Sequence, residues 1–527
     1  MLKIIQSAGQ TVFSRLDRLF SVVFGDRANP LYHLGALGFY FFWIVAVSGI
    51  YLYIFFETST VAAYRSIEHL THDQWWLGGV MRSLHRYGSD AMVAVMITHM
   101  TREFLFDRMR GPRWYSWFTG VPLLAFVYAS GINGYWLVWD RLAQYIAVTT
   151  AEWLDWLPFF TEPIARNFLN EAAVSDRFFS LLSFLHIGIP LFLLLAMWIH
   201  IQRIAHARTN PPRLLAVGTL AALLVLALAF PALSQGPAKL DTVVARVGLD
   251  WFYLPLYPLI DRWGSGTVWA LVGGSGLLLM VLPWLPYRKR DPVAVVSLPN
   301  CNGCGWCFAD CPYSAVTLAP RSDGLPFEQE AVVNPELCIA CGICVGSCPT
   351  ATPFRRLTDL TPGIDLPDRN IRELRARTVA ACAGLEGPAR VLVYGCRHSA
   401  HADQLIEPGV TVLTVPCLAA LPPSFIDFVI MRRQADGVLL AGCNRGNCHY
   451  RLGTDWTAQR LAGERDPRLR ERVPRNRIEI FHGGRGWPDS LPEVLTRFRA
   501  RLASLAPLNE KPPHPAAKTP EQQHGAD

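Results

Sequence analysis

The first 300 residues of this 527-residue chain contain no cysteine; all thirteen fall from Cys301 onward. That asymmetry argues against a disulfide-stapled secreted framework, and it fits a reducing compartment for the second half. Charge is scarce as well. Only 17% of residues are Asp, Glu, Lys or Arg, against about 25% in soluble domains, and the apolar residues concentrate before Pro286. The net charge of +7 gathers at 102–113, 203–213 and 288–290. These clusters alternate with less basic loops, a pattern that orients membrane spans and gives no reason to expect nucleic acid. No G-x-G-x-x-G opens a helix; the glycine clusters at 273–276 and 483–486 are isolated, so no nucleotide fold is expected. The start lacks the parts of a cleaved signal. Residues 2–24 are amphipathic and interrupted by charges, as in a helix lying in a membrane interface. Nothing in the chain is arranged to attack a peptide bond, a phosphate or a sugar.

What the chain does contain is two cysteine runs. Cys301, Cys304, Cys307 and Cys311 form one C-x2-C-x2-C-x3-C-P run, and Cys338, Cys341, Cys344 and Cys348 form another. In two-cluster ferredoxins the fourth cysteine of each run ligates the other cluster. The pattern therefore predicts one [4Fe-4S] cluster on Cys301, Cys304, Cys307 and Cys348, and a second on Cys338, Cys341, Cys344 and Cys311. Structural zinc is the rival reading, but zinc rarely needs two identical runs each closed by Cys-Pro. A ferredoxin-like βαββαβ module over 293–355 suits these runs.

Before the cysteines, apolar spans at about 34–56, 83–104, 115–139, 178–202, 214–234 and 266–286 are each long enough to cross ~30 Å of hydrocarbon. With the N-terminus inside, all three basic clusters fall inside, and six spans return the chain to the cytoplasm before its cysteines. His85 and His99 lie on the second span, His186 and His200 on the fourth. Both pairs are fourteen residues apart, nearly four helical turns, so each pair shares a face with about 21 Å between its members. Two such helices facing each other can hold two stacked bis-histidine haems. Polar histidines without a metal are the alternative, which one intramembrane histidine would leave open and two pairs at equal spacing do not. Gly35 and Gly49 on the first span, and Gly120 and Gly134 on the third, repeat the spacing. A missing side chain there lets a flat macrocycle approach the backbone; close helix packing is the other use of such glycines.

These residues resemble the four-helix haem core of cytochrome b from bc1 and b6f complexes. RSLHRYG around His85 is similar to the family's first ligand region, and NGYWLVWDRLAQ at 133–144 to its Gly-Tyr-x-Leu-Pro-Trp stretch, with Val138 in the place of proline. The resemblance implies an outer haem b between His85 and His186 and an inner one between His99 and His200. Between the fifth and sixth spans, GLDWFYLPLYPL at 248–259 resembles the PEWYFLPLYAL segment bordering the quinol-oxidation site of the b6f small subunit. That likeness puts Asp250 at the proton-accepting glutamate, Trp251 at tryptophan, Leu249 where proline would be, and Tyr253 within the site. A packed aromatic loop capped by Asp250, with Trp251 and Tyr253 as interface anchors, is the other reading. The seventh and eighth helices of a full-length cytochrome b have no counterpart.

After a proline- and charge-bearing linker at 356–377, three short Val- and Leu-rich runs end in cysteine. VLVYGC ends at Cys396, VTVLTVPC at Cys417 and GVLLAGC at Cys443, with Cys448 following. That describes an α/β domain over 378–506 with thiols gathered at the carboxyl ends of strands. Four such thiols can hold a [2Fe-2S] cluster; redox-active or inert buried cysteines are the alternative. ADGVLLAGCNRGNCHYRLGT at 435–454 is similar to the delta (iron-sulfur) subunit of methyl-viologen-reducing hydrogenase, which places the cluster on Cys396, Cys417, Cys443 and Cys448. The family's second cysteine in its first region is Ser399 here. His398 and His449 stand beside these ligands as alternative donors, and Cys382 has no partner pattern. The proline-rich tail at 507–527 is expected to be disordered.

The expected fold is thus an all-α transmembrane cytochrome b bundle of about six spans. Residues 1–210 form its four-helix dihaem domain, and 211–292 add two further helices with an outer quinone-site-like loop. It is fused to a ferredoxin-like α+β domain and an α/β hydrogenase-delta-like domain. The expected function is one-electron traffic in a multi-protein quinone oxidoreductase of a respiratory chain. Electrons would pass between a cytoplasmic flavoprotein and membrane quinone by way of two haem b, two [4Fe-4S] and one [2Fe-2S]. The flavoprotein would be FAD- and NAD(P)H-binding or of the heterodisulfide-reductase type. The alternative is a transmembrane conduit of a hydrogenase or heterodisulfide-reductase-like complex without quinone turnover. The expected location is the bacterial inner membrane, with N-terminus and iron-sulfur domains cytoplasmic, and with dimerisation inside a larger complex.

Overall fold

The computed structural model describes residues 2–159, 163–165, 174–244, 246–250, 252–287, 290–356, 358, 360–399, 402–483 and 490–506. They divide into two compact units: Met1–Val293 with Cys311–Thr317 and Val332–Ala340, and Ala294–Asp310 with Leu318–Ala331 and Cys341–Asp527.

The first unit is helical: α1 Leu2–Phe24, α2 Leu34–Phe55, α3 Ala63–Glu68, α4 Val80–Leu105, α5 Trp114–Val138, α6 Arg141–Asp155, α7 Asp176–Ile201, α8 Arg213–Ala229, α9 Leu256–Trp263 and α10 Ser265–Val281. Six of these coincide with the expected spans, but by length and hydropathy four segments among the described residues qualify as membrane-crossing: Leu34–Phe55, Gly111–Val138, Asp176–Ile201 and Ser265–Trp284. The two shortfalls have separate causes. The fourth helix is 26 residues long, yet it carries Arg82, Arg86, Asp90, Arg102 and Glu103, charges that rarely enter a span except for function. The eighth stops at Ala229, five residues earlier than the hydropathy implied. Phe230 precedes Pro231, and a residue before proline is driven out of the helical region; its φ is −135° and ψ 73°.

Helix pairing follows small residues. The α2 and α4 helices run against one another, as do α5 and α7, around a core that includes Leu37, Phe41, Met92, Val93, Leu123 and Val127. The amphipathic α1 is pinned to the end of α4 by Asp17 and Arg102, 2% and 4% exposed, whose bidentate contacts measure 2.8 and 2.9 Å. Gln6 and Gln10 add bonds to the carbonyls of Phe104 and Leu105. Hydropathy does not mark α6, a half-buried amphipathic helix whose first turn is capped by Asp140 accepting from the Ala143 N–H at 2.8 Å. Within this unit the Ala205 N–H donates to the Pro312 carbonyl at 3.2 Å, and the Arg113 guanidinium lies over the Tyr313 ring. Residues directly after Cys311 therefore rest on the loops that follow α4 and α7.

The cysteine module runs β1 Val295–Val296, α11 Trp306–Asp310, β2 Val316–Pro320, β3 Gln329–Val333, α12 Ile343–Ser347 and β4 Ile364–Asp365. This is the expected βαββαβ order, with β1 antiparallel to β4. Its last strand lies inside the stretch read as a linker, so the module extends about ten residues further than the cysteine pattern indicates. In the second unit α13 Ile371–Ala383, β5 Val391–Cys396, β6 Val410–Val415, α14 Pro423–Met431, β7 Gly437–Gly442, α15 Gly453–Ala462, β8 Ile478–His482 and α16 Leu491–Ala503 complete the chain. Its sheet has the order β6-β5-β7-β8 and is parallel throughout. Every residue of β5 and β7 is buried, as expected for parallel strands covered on both faces.

Breaking a buried pair strands one charge, at a cost of about 3–5 kcal/mol. Asp17→Asn should therefore lower the Tm of the detergent-solubilised protein markedly. The double exchange Asp17→Leu/Arg102→Met should restore most of the loss; an unchanged Tm in the single variant would show that α1 is not held this way.

Candidate redox centres

The four histidines meet the four glycines one to one. A Cβ on Gly49 would lie 2.8 Å from His85 Cε1, and one on Gly134 2.8 Å from His186 Cε1. A Cβ on Gly120 would lie 3.2 Å from His200 Cε1, and one on Gly35 3.9 Å from His99 Cε1. The space beside each glycine thus holds the imidazole of the paired helix. This differs from the sequence reading, in which that space went directly to a macrocycle. The His85 and His186 rings stand 6.1 Å apart at 64°.

Hydrogen bonds orient three of the rings. His85 Nδ1 is 3.0 Å from the Val45 carbonyl and His186 Nδ1 is 3.0 Å from the Ser130 carbonyl. A carbonyl only accepts, so each Nδ1 carries the proton and each Nε2 is left as a lone pair. His200 Nδ1 meets Thr119 Oγ1 at 3.0 Å, and that hydroxyl donates to the Tyr115 carbonyl at 2.8 Å, so it too accepts from the ring. An Nδ1 proton fixed by an acceptor is how metal-bound histidines are held. The donor set fits axial ligation of haem iron.

Beyond His85 lies an ionic cluster. Arg86 bridges Asp90, one turn along α4, and Asp250 of the loop before α9. Tyr135 also donates to Asp250 Oδ2 at 3.1 Å, while Oδ1 accepts from the N–H groups of Phe252 and Tyr253 at 2.8 and 3.0 Å. Burial pushes the Asp250 carboxyl up, but the Tyr253 N–H, the Arg86 charge and the Phe252 N–H outweigh it and hold the group below the usual carboxylate range. Asp250 therefore does cap this loop. Tyr253 is 2% exposed, donates to the Val127 carbonyl at 2.9 Å and presses on Gly131, where a Cβ would fall 1.7 Å from its hydroxyl; it is a core residue, not an interface anchor. Trp251 lies outside the described residues.

In the second unit Cys301, Cys304, Cys307 and Cys348 line one cavity. The fourth cysteine of the second run thus joins the first three of the first run, the exchange that paired clusters require. Gly303 makes the tight turn: its φ is +65°, and a Cβ would stand 2.3 Å from the Gln329 carbonyl oxygen. Burial, with Cys348, Cys304 and Cys301 adding, pushes the Cys307 thiol up to about 12. Cys311 Sγ accepts from the Ala315 N–H at 3.2 Å. Cys311 and Cys338 belong to the first unit, Cys341 and Cys344 to the second.

Four further thiols gather where the parallel strands end. Cys396 closes β5, Cys417 stands two residues past β6, Cys443 follows β7, and Cys448 lies on the next turn. All four are buried. Cys396 and Cys443 sulfurs are 3.7 Å apart, and a Cβ on Gly453 would fall 2.3 Å from Cys417 Sγ and 3.4 Å from Cys448 Sγ. The set suits a small iron-sulfur group at the carboxyl ends of a parallel sheet. His398 and His449 stack on one another at 3.6 Å against Tyr450. Cys382 is on α13 near Arg390, which precedes β5 and so sits at the opposite end of the sheet.

Residues 20–208 match the family described as cytochrome b/b6/petB, 300–352 the 4Fe-4S dicluster domain, and 391–506 the methyl-viologen-reducing hydrogenase delta subunit. The chain carries these three domains, in that order. Among its relatives is cytochrome b6 of Porphyra purpurea, 28% identical over 200 residues that make up 37% of this chain and 91% of that protein. A solved structure titled Hyperthermophilic respiratory Complex III covers 49% of this chain and 76% of its own at 20% identity and a TM-score of 0.40, too loose a likeness to bear on function. The cytochrome b domain with its apolar helices makes this a multi-pass membrane protein, and the domain set makes it a redox, electron-transfer subunit.

Sequence reasoning passed over four residues that the structure brings forward. Arg86 and Asp90 had a signal, an i,i+4 ion pair beside a histidine in an apolar region. Gly131 had none. His482 ends β8 opposite Gly442, half-buried beside the Cys443 backbone; only its place at a strand end, unknown until β8 was seen, marks it.

The glycine contacts predict a graded outcome. Gly49→Ala and Gly134→Ala, whose new Cβ would strike His85 and His186, should cut bound haem b by about half in a pyridine haemochrome assay. Gly35→Ala, in ordinary contact with His99, should leave it unchanged. Equal effects at all three positions would sink the pairing.

Proposed function

We propose that this chain is the membrane electron-transfer subunit of a quinone oxidoreductase, linking a cytoplasmic flavoprotein, NAD(P)H-binding or of the heterodisulfide-reductase type, to the membrane quinone pool. The observation that carries the reading is the co-occurrence in one chain of histidine pairs set against glycines of the adjoining helix, two of them anchored on backbone carbonyls, and two convergent cysteine sets. His85 with His186 and His99 with His200 would hold two haem b. Cys301, Cys304, Cys307 and Cys348 would hold one [4Fe-4S] cluster, Cys338, Cys341, Cys344 and Cys311 the second, and Cys396, Cys417, Cys443 and Cys448 a [2Fe-2S] cluster. When bound, these groups supply one-electron transfer. The protein's own part is to fix their ligands, exclude water and handle protons.

Proton handling would fall to the loop beside His85. Asp250, Arg86, Asp90 and Tyr135 form a hydrogen-bonded set next to an axial-ligand candidate, the chemistry a quinol hydroxyl needs. In this arrangement Asp250 is fully engaged, so accepting a quinol proton requires it to leave Arg86. The same engagement favours a second reading, a transmembrane conduit to a hydrogenase or heterodisulfide-reductase-like enzyme in which Asp250 only caps the loop. The location proposed is a bacterial inner membrane, with iron-sulfur domains on the cytoplasmic side.

Anaerobic membranes separate the two. Haem b absorbance would be followed after adding quinol, and separately after NADH or NADPH. Under the quinone reading quinol reduces the haems, and Asp250→Asn slows this by about 100-fold or more, the size of effect typical of a lost acid–base group. Haems inert to quinol, or an Asp250→Asn variant as fast as the parent, would leave the conduit.

A further inference from the structure

Arg460 is 1% exposed and heads the largest fully buried side chains. A lone buried guanidinium is costly unless its donors are matched; Nε has no partner among the described residues, while the two terminal nitrogens reach three separate segments. Nη1 donates to the Ala419 carbonyl at 2.8 Å; Nη2 donates to Asp310 Oδ2 at 2.5 Å and to Ser347 Oγ at 2.6 Å. Each contact is a near neighbour of a cysteine. Asp310 stands between Cys307 and Cys311, Ser347 between Cys344 and Cys348, and Ala419 two residues after Cys417.

The surroundings reinforce the joint. Ser347 Oγ is 2.7 Å from Asp310 Oδ2. Arg465 pairs with the other oxygen of Asp310 and stacks 3.4 Å over the Trp456 ring, whose Nε1 donates to the Asp310 carbonyl at 3.2 Å. Glycine lets the α12 backbone come in close. A Cβ on Gly346 would stand 1.9 Å from the Ala419 carbonyl oxygen, and one on Gly342 2.9 Å from Ala420 Cβ. Cys341 lies within electrostatic reach of Cys417.

We propose that Arg460 is a positioning residue that locks the second cysteine run against the Cys417 loop, and that this contact is the route by which an electron passes between the dicluster module and the delta-subunit domain. With both thiolate sets loaded, the clusters would supply one-electron transfer, and the Arg460 joint would hold the Cys341–Cys348 segment and the Cys417 loop at a fixed separation for it. No bond forms or breaks and no proton is needed. Transfer rate falls steeply with separation, so a joint fixed by a buried guanidinium sets the rate. The inference rests on both cysteine sets holding clusters, as proposed above.

The test uses the full chain with its clusters, in the parent and in Gly346→Ala, Arg460→Gln and Arg460→Lys. Iron and acid-labile sulfide would be measured first. EPR of the fully reduced protein would then report spin–spin broadening between the two sets, and freeze-quench EPR the rate at which reduction spreads from one to the other. Expected are parental iron content, collapsed broadening and a rate at least tenfold slower in Gly346→Ala and Arg460→Gln, with partial recovery in Arg460→Lys. Gly346→Ala removes no charge, so it decides the matter if Arg460→Gln loses iron. Parental broadening and a rate within twofold in Gly346→Ala would overturn the inference. A parent lacking either cluster signal would overturn the cluster assignment itself, and the inference with it.

Discussion

The arrangement of the helical unit depends on four places where a helix has no side chain. An imidazole in an apolar bundle needs an acceptor for its Nδ1 proton, and the nearest is a backbone carbonyl on the adjoining helix. That carbonyl is reachable only if the two backbones come close. Gly49 and Gly134 provide the approach for His85 and His186, whose Nδ1 atoms then meet Val45 and Ser130. The same condition pairs α2 with α4 and α5 with α7, and leaves the core of Leu37, Met92, Leu123 and Val127 to fill what remains. Packing and chemistry are one constraint here.

The second unit solves a different problem. Thiolates repel one another, and their segments must still converge. Parallel strands do this by topology: β5, β6 and β7 all end on the same edge, so Cys396, Cys417 and Cys443 arrive together whatever their separation in sequence. The cysteine module lacks so large a sheet and relies on left-handed glycines, Gly303 at φ +65° and Gly342 at φ +78°, to turn its loops. Where these two designs meet, a buried Asp310–Arg460 pair replaces apolar packing. An ion pair has narrower geometric tolerance than a hydrophobic contact, which suits a joint whose spacing matters.

Much of this was legible in the sequence because the relevant signals are periodic. Fourteen-residue spacing placed the histidines and glycines on common faces, and C-x2-C-x2-C-x3-C-P dictated a loop that crosses to its partner run. The Val- and Leu-rich runs ending in cysteine foretold the carboxyl edge of the sheet. What stayed hidden depends on contacts distant in sequence. Nothing local says that Arg460 meets Asp310, 150 residues away, or that Tyr253 needs Gly131. Hydropathy also overran α8, because it is blind to the backbone restriction that Pro231 imposes on Phe230, and it undervalued α4, whose charges are there for reasons other than solubility.

The two ends of α4 differ in their electrical accounting. Near His99, Arg102 pairs with Asp17 and Glu103 with Arg108, one cation for each anion. Near His85, Arg86 is shared between Asp90 and Asp250. Two carboxylates against one guanidinium leave either an unbalanced negative charge or one retained proton. A negative charge beside a redox centre stabilises its oxidised form, and a proton cancels that bias. A haem held by His85 would therefore be biased by the number of protons that Asp90 and Asp250 retain between them.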